Sequence, residues 1–414
     1  MMSSVLDINL APSGRKKIEW VKSYMPVLGT IGTDFLANKP FKGLKAAMSI
    51  HLEAKTAYLA EILRDAGAEV YITGCNPLST QDDVAAALAV EGLNVFARHG
   101  VDDEEYVDHL KAVLDCSPNV IIDDGGDLVQ LLNGECSDKT SNLIGGCEET
   151  TTGVHRLFAR MRAGLLNFPM VDVNDADCKY LFDNRYGTGQ STIDGIMNTT
   201  NLMIAGKTVV VAGYGWCGRG LAMRMKGMGA LVIVTEIDPV KAIEAAMDGF
   251  RVMKMDDAAP LGDFFVTLTG SRDVITGRHF DMMKDGAVLA NSGHFDVEIN
   301  KSELETDSVE IFDRRNNIRG YKQKDGRILN LLADGRLVNL AAGNGHPAEI
   351  MDMSFALQAK SLEWLVQNKD KLENRVYPVP DEIDSYVAEL KLRAIGGAID
   401  SLTAEQKEYL NKVD

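Results

Sequence analysis

Long apolar runs are missing from this chain of 414 residues. No stretch approaches the ~18 consecutive apolar residues of a membrane-spanning helix, so a bilayer is not its expected setting. The opening MMSSVLDINL has no basic segment followed by an apolar one, and export is not expected. Cysteine is scarce and scattered, six residues (Cys75, Cys116, Cys136, Cys147, Cys178, Cys217) with no CxxC pair. That pattern supports neither a disulfide framework nor a metal centre, and reduced thiols in the cytoplasm fit it. Positive charge is in deficit: the net charge is −17, which argues against nucleic acid and anionic membranes as partners. There is no internal repeat and no low-complexity tract. What remains, 45% hydrophobic and 25% charged, is a globular composition. The length exceeds what one core supports and suggests two or three domains.

The most informative stretch is 207–238, KTVVVAGYGWCGRGLAMRMKGMGALVIVTEID. Val209, Val210 and Val211 form a β-branched run ending in Gly213-Tyr214-Gly215-Trp216-Cys217-Gly218. A helix-forming segment follows to about Met228, and a second apolar strand, Leu231 to Thr235, closes on Glu236. Strand, glycine turn, helix, strand and acid together make a dinucleotide-binding unit. Gly213 permits the tight turn, Gly215 lets the backbone approach a pyrophosphate, and Gly218 lets helix and strand pack closely. The helix N-terminus offers free N–H groups and a positive dipole end to the phosphates. Glu236 stands at the separation of ~20 residues where a carboxylate accepts from the ribose hydroxyls and repels a 2′-phosphate. NAD, not NADP, is therefore the expected cofactor. Trp216 is expected to pack and not to react.

Before this unit the signals alternate. Residues 1–40 read as helical, with Trp20, Val21, Tyr24 and Met25 as an apolar, core-packing stripe. Strands are expected at Lys45–Ile50, Val70–Thr73, Leu93–Phe96 and Asn119–Ile122, with helices at Ala54–Ala66, Thr80–Val90 and Glu104–Leu114 between them. That rhythm gives a largely parallel sheet covered on both faces. Ligands of such sheets sit beyond the carboxyl ends of the strands. The polar stretches His51-Leu52-Glu53, Cys75-Asn76-Pro77 and Asp123-Asp124-Gly125-Gly126-Asp127 each follow a strand and face one crevice; Asn291-Ser292-Gly293-His294 ends a later strand in the same way. Segment 305–330 reads as a surface hairpin around Lys324-Asp325-Gly326, with a helix from Arg336 onward and a charged, helical C-terminus. The order implies an α/β protein of two doubly wound domains, a Rossmann NAD domain inserted in a discontinuous substrate-binding domain. The expected divisions are 1–183 and 344–385 for the substrate domain, 184–343 for the NAD domain and 386–414 for a helical tail. Hinges are expected near Asn184–Gly189 and Asn344–Met351.

The strings NPLSTQDDVAAAL, DDGGDL, EETTTGVHRL, FDNRYGTGQSTIDGI, VAGYGWCGRG, TEIDP, NSGHFDVEI and RLVNLAAGNGHP occur in this order between about residues 43 and 355. They resemble the S-adenosyl-L-homocysteine hydrolase family, in its archaeal and thermophilic branch. The resemblance implies a thioether hydrolase in which NAD oxidises the 3′-hydroxyl, homocysteine is eliminated, water adds, and the alcohol is regenerated. It implies that Lys179 and Asp183 sit at the 3′-hydroxyl, with Lys179 taking its proton, and that Asp124 and Glu149 are the further active-site carboxylates. Asp124 is the expected agent of C4′ proton transfer. His51 and His294 match the pair that handles leaving thiol and incoming water. Thr150, Thr151, Thr152, Asn184 and Asn339 match cofactor contacts, and His346 and Met351 the adenine side and hinge. Asn291 is expected at the cofactor and Asn76 at the substrate. One NAD per subunit, no metal and a homotetramer complete the expectation. His99, His109, His155 and His279 are left as structural or surface residues.

Thr188 stands where the family commonly has cysteine, and Gln190 where it has glutamate. Many members end in a basic, tyrosine-containing tail that reaches a neighbour's NAD site; this sequence closes on Lys412-Val413-Asp414 without one, from which an exchangeable cofactor is expected. Glu53 and Lys55, in HLEAKTA, occupy positions that commonly carry threonine and glutamate or glutamine against adenine. An ionised Glu53 accepts from hypoxanthine N1–H while Lys55 donates to O6, which makes S-inosyl-L-homocysteine the alternative substrate. A solvent-facing pair is the plainer reading, because residues two apart on a regular helix do not share a face. A D-2-hydroxyacid-type NAD dehydrogenase also inserts its NAD domain, but has no place for DDGGDL or EETTTG. An inactive relative serving as a binding module would have lost Lys179, Asp183 or His294, and all three are present.

Overall fold

The computed structural model describes residues 3–412; Val413 and Asp414, where the sequence closes without a basic tail, lie outside them. Two sheets organise the chain. The first contains β1 (Lys45–Ser49), β2 (Glu69–Thr73), β3 (Asn94–Val95), β4 (Val120–Asp123), β5 (Gly145–Glu148) and β6 (Met170–Asp172). The second contains β7 (Thr208–Ala212), β8 (Leu231–Thr235), β9 (Arg251–Val252), β10 (Phe264–Thr267), β11 (Val288–Asn291), β12 (Ser308–Arg315), β13 (Ile318–Gln323) and β14 (Ile328–Leu332). β15 (Val376–Pro378) then returns to the edge of the first sheet.

The first sheet has seven strands in the order β15-β6-β5-β4-β1-β2-β3, every pair parallel. The second has eight, β12-β13-β14-β11-β10-β7-β8-β9, parallel except that β13 runs antiparallel to both its neighbours, β12 and β14. Continuous apolar runs such as Val209-Val210-Val211 bury both sheet faces under helices, as parallel sheets require. The first core draws in the helix Ala348–Asn368, through Phe355, Leu357 and Leu362. The second takes Ile193 and Ile196 from the helix Thr188–Thr200. The architecture is a Rossmann-type unit set within a separate substrate unit.

Several expectations need correction. Val21 and Met25 are buried, but Trp20 and Tyr24 lie exposed and pack ring against ring 5.0 Å apart. Segment 305–330 is no surface hairpin alone: Tyr321 and Leu329 are buried, and β14 pairs with β11 inside the sheet. No continuous helix starts near Arg336. A short one, Val338–Ala341, stops before the Gly343-Asn344-Gly345 bend, and Ala348–Asn368 begins behind Pro347. The helix Asp381–Ala394 runs across the 385/386 division, with Ile383 and Val387 buried. Between the units, Tyr180–Gly187 winds as a π-helix, its end marked by Thr188 N–H donating to Asp183 C=O. Such wide turns are rare and concentrate at functional sites.

Candidate active site

The carboxyl ends of both sheets enclose one cavity of about 720 Å³. Glu53, an extended residue before the helix Ala54–Asp65, caps it by accepting from Lys55 and Thr56 N–H. The extended cap puts Glu53 off the helix, so its carboxylate meets Lys55 Nζ at 2.6 Å. Both are buried and line the cavity, which overturns the solvent-facing reading. Lys55 also donates to Asn344 C=O (3.1 Å), tying the first unit to the Gly343-Asn344-Gly345 bend.

On one wall, Lys179 Nζ donates to Asn184 Oδ1 (2.8 Å) and lies 3.4 Å from Asp183 and 3.8 Å from Glu149. The π-helix makes this cluster, because it carries Asp183 and Asn184 one turn beyond Lys179. Burial alone lowers the Lys179 pKa, but Asp183 and Glu149 outweigh it and hold the ammonium more firmly than usual. The lysine is therefore a donor in this arrangement, and must shed a proton before it can serve as the base expected from the sequence. Burial disfavours the charged Asp183, yet Lys179 and His346 prevail and keep it ionised far below the usual range. Asp183 accepts from Ser354 Oγ (2.8 Å) and pairs with His346 Nδ1. Glu149 is pushed up to about 8, chiefly by burial, and accepts from Gln358 Nε2. Among the described residues, its Oε1 has no hydrogen-bond partner.

On the other wall Asp124 lies between two histidines, 3.7 Å from His51 Nε2 and 4.0 Å from His294 Nδ1. Ser79 fixes His51 through Nδ1 at 2.6 Å. Burial lowers the His51 pKa to about 4 and also lowers that of His294, so both rings are neutral near pH 7. Burial raises Asp124. His294 comes from the second unit and Asp124 from the first, so the group spans the cleft. A Cβ at Gly125 (φ +106°) would lie 2.5 Å from His294 Nε2, and only glycine admits this approach.

Along the cofactor side, the first turn of the helix Trp216–Gly227 has no side-chain cap, leaving its N–H groups for an anion. Gly215 faces open space, whereas a Cβ at Gly218 would sit 2.0 Å from Gly213 C=O. Glu236 accepts from Tyr214 N–H (2.7 Å), Ile237 N–H (2.7 Å) and Asp238 N–H (3.1 Å), which sets the turn against the end of β8. These features fit a dinucleotide.

Thr150, Thr151, Thr152, Asn339, His346 and Met351 also line the cavity. Asn76 and Asn291 do not. Asn76 accepts from Leu78 N–H, and fully buried Asn291 spends its amide on Gly293, Phe295 and Thr267. His155, set aside as structural or surface, stands on the cavity wall. Sequence reasoning missed Asn174, whose Oδ1 gathers Thr151, Lys179 and Asn184, and missed Ser354 and Gln358. A polar residue on the buried face of an apolar helix was the available signal for the last two.

Two family profiles match this chain. Residues 2–142 match the S-adenosyl-L-homocysteine hydrolase profile and residues 184–345 its NAD binding domain. The adenosylhomocysteinase of Thermococcus kodakarensis is 58% identical over 98% of this chain and 96% of its own length. The S-inosyl-L-homocysteine hydrolase of Methanocaldococcus jannaschii is also 58% identical, over 99% of this chain and 98% of its own. The adenosylhomocysteinase of Aquifex aeolicus is 56% identical over 99% of each. NAD is the cofactor of the second unit, and no helix among the described residues is long and apolar enough to cross a membrane.

Proposed function

The chain belongs to the S-adenosyl-L-homocysteine hydrolase family, and from that premise we propose that it hydrolyses S-adenosyl-L-homocysteine reversibly to adenosine and L-homocysteine. The observation that carries this reading is the meeting, in one cavity, of an ammonium–carboxylate cluster and a His–Asp–His group beside an anion-ready glycine turn. Bound NAD supplies the reversible oxidation of a secondary alcohol that makes the neighbouring C–H acidic. Lys179 donates to the 3′-oxygen when substrate binds. Once it has given up its proton it serves as the base, with Asp183, itself held by His346 and Ser354, orienting its Nζ. Asp124, made more basic by burial, takes the C4′ proton. His51 and His294, held neutral beside Asp124, relay the proton that Asp124 has taken to the departing sulfur and then accept one from water. His294, reaching across to the Asp124 loop, narrows the path of bulk water to the reactive intermediate.

The buried Glu53–Lys55 pair favours a second reading at the base. A carboxylate beside an ammonium matches the N1–H donor and O6 acceptor of hypoxanthine, and adenine presents the opposite set. Product analysis and side-by-side kcat/KM values for the adenosyl and inosyl thioethers decide between them. A preference for the adenosyl compound that survives Lys55→Ala unchanged removes the second reading. Cleavage of neither removes both. We further propose a cytoplasmic homotetramer, with hinges near Asn184–Gly189 and Asn344–Met351; exposed Val240, Ile243 and Met247 on one helix support assembly, and sedimentation tests it.

A further inference from the structure

Below the cavity floor, at the end of β5, lies a carboxyl group that the chemistry above does not use. Glu148 is fully buried, and one of its oxygens, Oε1, accepts from three donors: Gly125 N–H (2.8 Å), Thr150 N–H (3.0 Å) and Thr150 Oγ1 (2.9 Å). Gly125 directly follows Asp124, and Thr150 directly follows Glu149. A single oxygen thus holds the backbone next to both active-site carboxylates, from two different strand ends. Thr150 Oγ1 extends the grip by accepting from Gly153 N–H and capping the helix Thr151–Arg162. There is no slack beneath: a Cβ at Gly153 would lie 2.1 Å from the Glu148 carboxyl carbon.

We propose that Glu148 is a positioning residue of the hydrolytic centre, setting Asp124 and Glu149 in register with each other. The inference rests on the function proposed above. Glu148 faces Asp123 in the β4–β5 register and Asp172 in the β5–β6 register, with Asp124 and Glu149 above it. The cations near it point elsewhere, Arg156 to Gly125 C=O and Asp127, and Lys179 to the cavity cluster. With Oε2 unpartnered among the described residues, an ionised Glu148 would be a buried charge surrounded by acids. Burial and Asp123 accordingly raise its pKa well above the usual carboxyl range, and Asp123 itself is pushed up to about 7, mainly by burial. Glu148 therefore grips both loops through Oε1 as a neutral acid, and a neutral acceptor oxygen in that place suffices for the grip.

The test compares holoenzyme with Glu148→Gln, which keeps a neutral acceptor oxygen, and with Glu148→Leu, which does not. For Glu148→Leu, kcat should fall about a hundredfold, the scale of an ångström-sized misplacement, while bound NAD and KM change little. For Glu148→Gln, most of that kcat should return, with KM and bound NAD again unchanged. A Leu variant with native kcat, or a Gln variant as slow as the Leu variant, overturns the proposal. If the Leu variant does not fold, the Gln variant decides alone: near-native kcat supports the proposal, and a loss of about a hundredfold with native KM overturns it. An inactive wild-type protein would instead count against the underlying function.

Discussion

Lys179 is the residue at which charge matters most. Two carboxyl groups and two asparagine oxygens surround an ammonium that water scarcely reaches. Removing it leaves Asp183 with His346 and Ser354 as partners, so the wall should survive. Lys179→Ala should therefore retain NAD but fail to oxidise bound substrate. Rapid-scan absorbance at the NADH band after substrate addition checks this, and a normal reduction burst rules out the assignment. Glu236 differs, because its carboxylate both awaits the ribose and pins the turn through Tyr214 N–H. Glu236→Ala should weaken NAD by roughly 1.5–3 kcal/mol, about ten- to a hundredfold, and relax discrimination against NADP. Titration with both cofactors measures it; unchanged NAD affinity would show that neither contact matters. At this scale the sequence was informative wherever charge stands beside a strand end, as at Asp124, Glu149 and His294. It was silent about Asn174, Ser354 and Gln358, whose importance arises from chain segments that meet only after folding.

Among the elements, those with strong periodic or β-branched patterns were legible. β7, β8 and the glycine turn between them stand where Val209–Val211, Gly213–Gly218 and Leu231–Thr235 announce them. β5 escaped notice because its sequence is Gly145-Gly146-Cys147-Glu148, poor in the residues that favour strands. Packing supplies the reason for the glycines: a Cβ at Gly146 would lie 2.2 Å from the Ile121 side chain on β4. β15 is too short to show periodicity, and its place at the sheet edge follows from tertiary pairing with β6. The π-helix was equally invisible, since polar residues 174–190 carry no helical stripe and its winding serves the Lys179 cluster. The glycine turn gives the sharpest test of an element. In Gly218→Ala the new Cβ meets Gly213 C=O, a backbone atom with nowhere to go, so the turn must open. NAD binding should be lost by calorimetry, while the far-ultraviolet circular dichroism stays near native. Native NAD affinity in this variant would mean that the turn adapts.

The whole molecule stores protons where its two units meet. Burial lifts Asp123 and Asp172 to about 7 and Glu149 to about 8, and raises Glu148 and Asp124 as well. In the unfolded chain these groups release their protons near pH 4. A raised folded-state pKa contributes stability that is complete below the unfolded value and is lost as pH rises through the folded one. The buried histidines act oppositely: burial lowers His51, His109, His279 and His294, so their contribution is lost as pH falls below about 6.5. Above that point histidine is neutral in both states and no longer opposes the acids. Between about pH 6.5 and about pH 8.5 the folded protein therefore binds more protons than the unfolded one, and stability must decline with pH. Tm of the protein without substrate should fall across this window, and Glu149→Gln should flatten the slope because it removes one stored proton without adding charge. A Tm that rises with pH there would mean that these carboxyl groups are ionised in the native state. The same result would undercut the neutral Glu149 placed against Lys179.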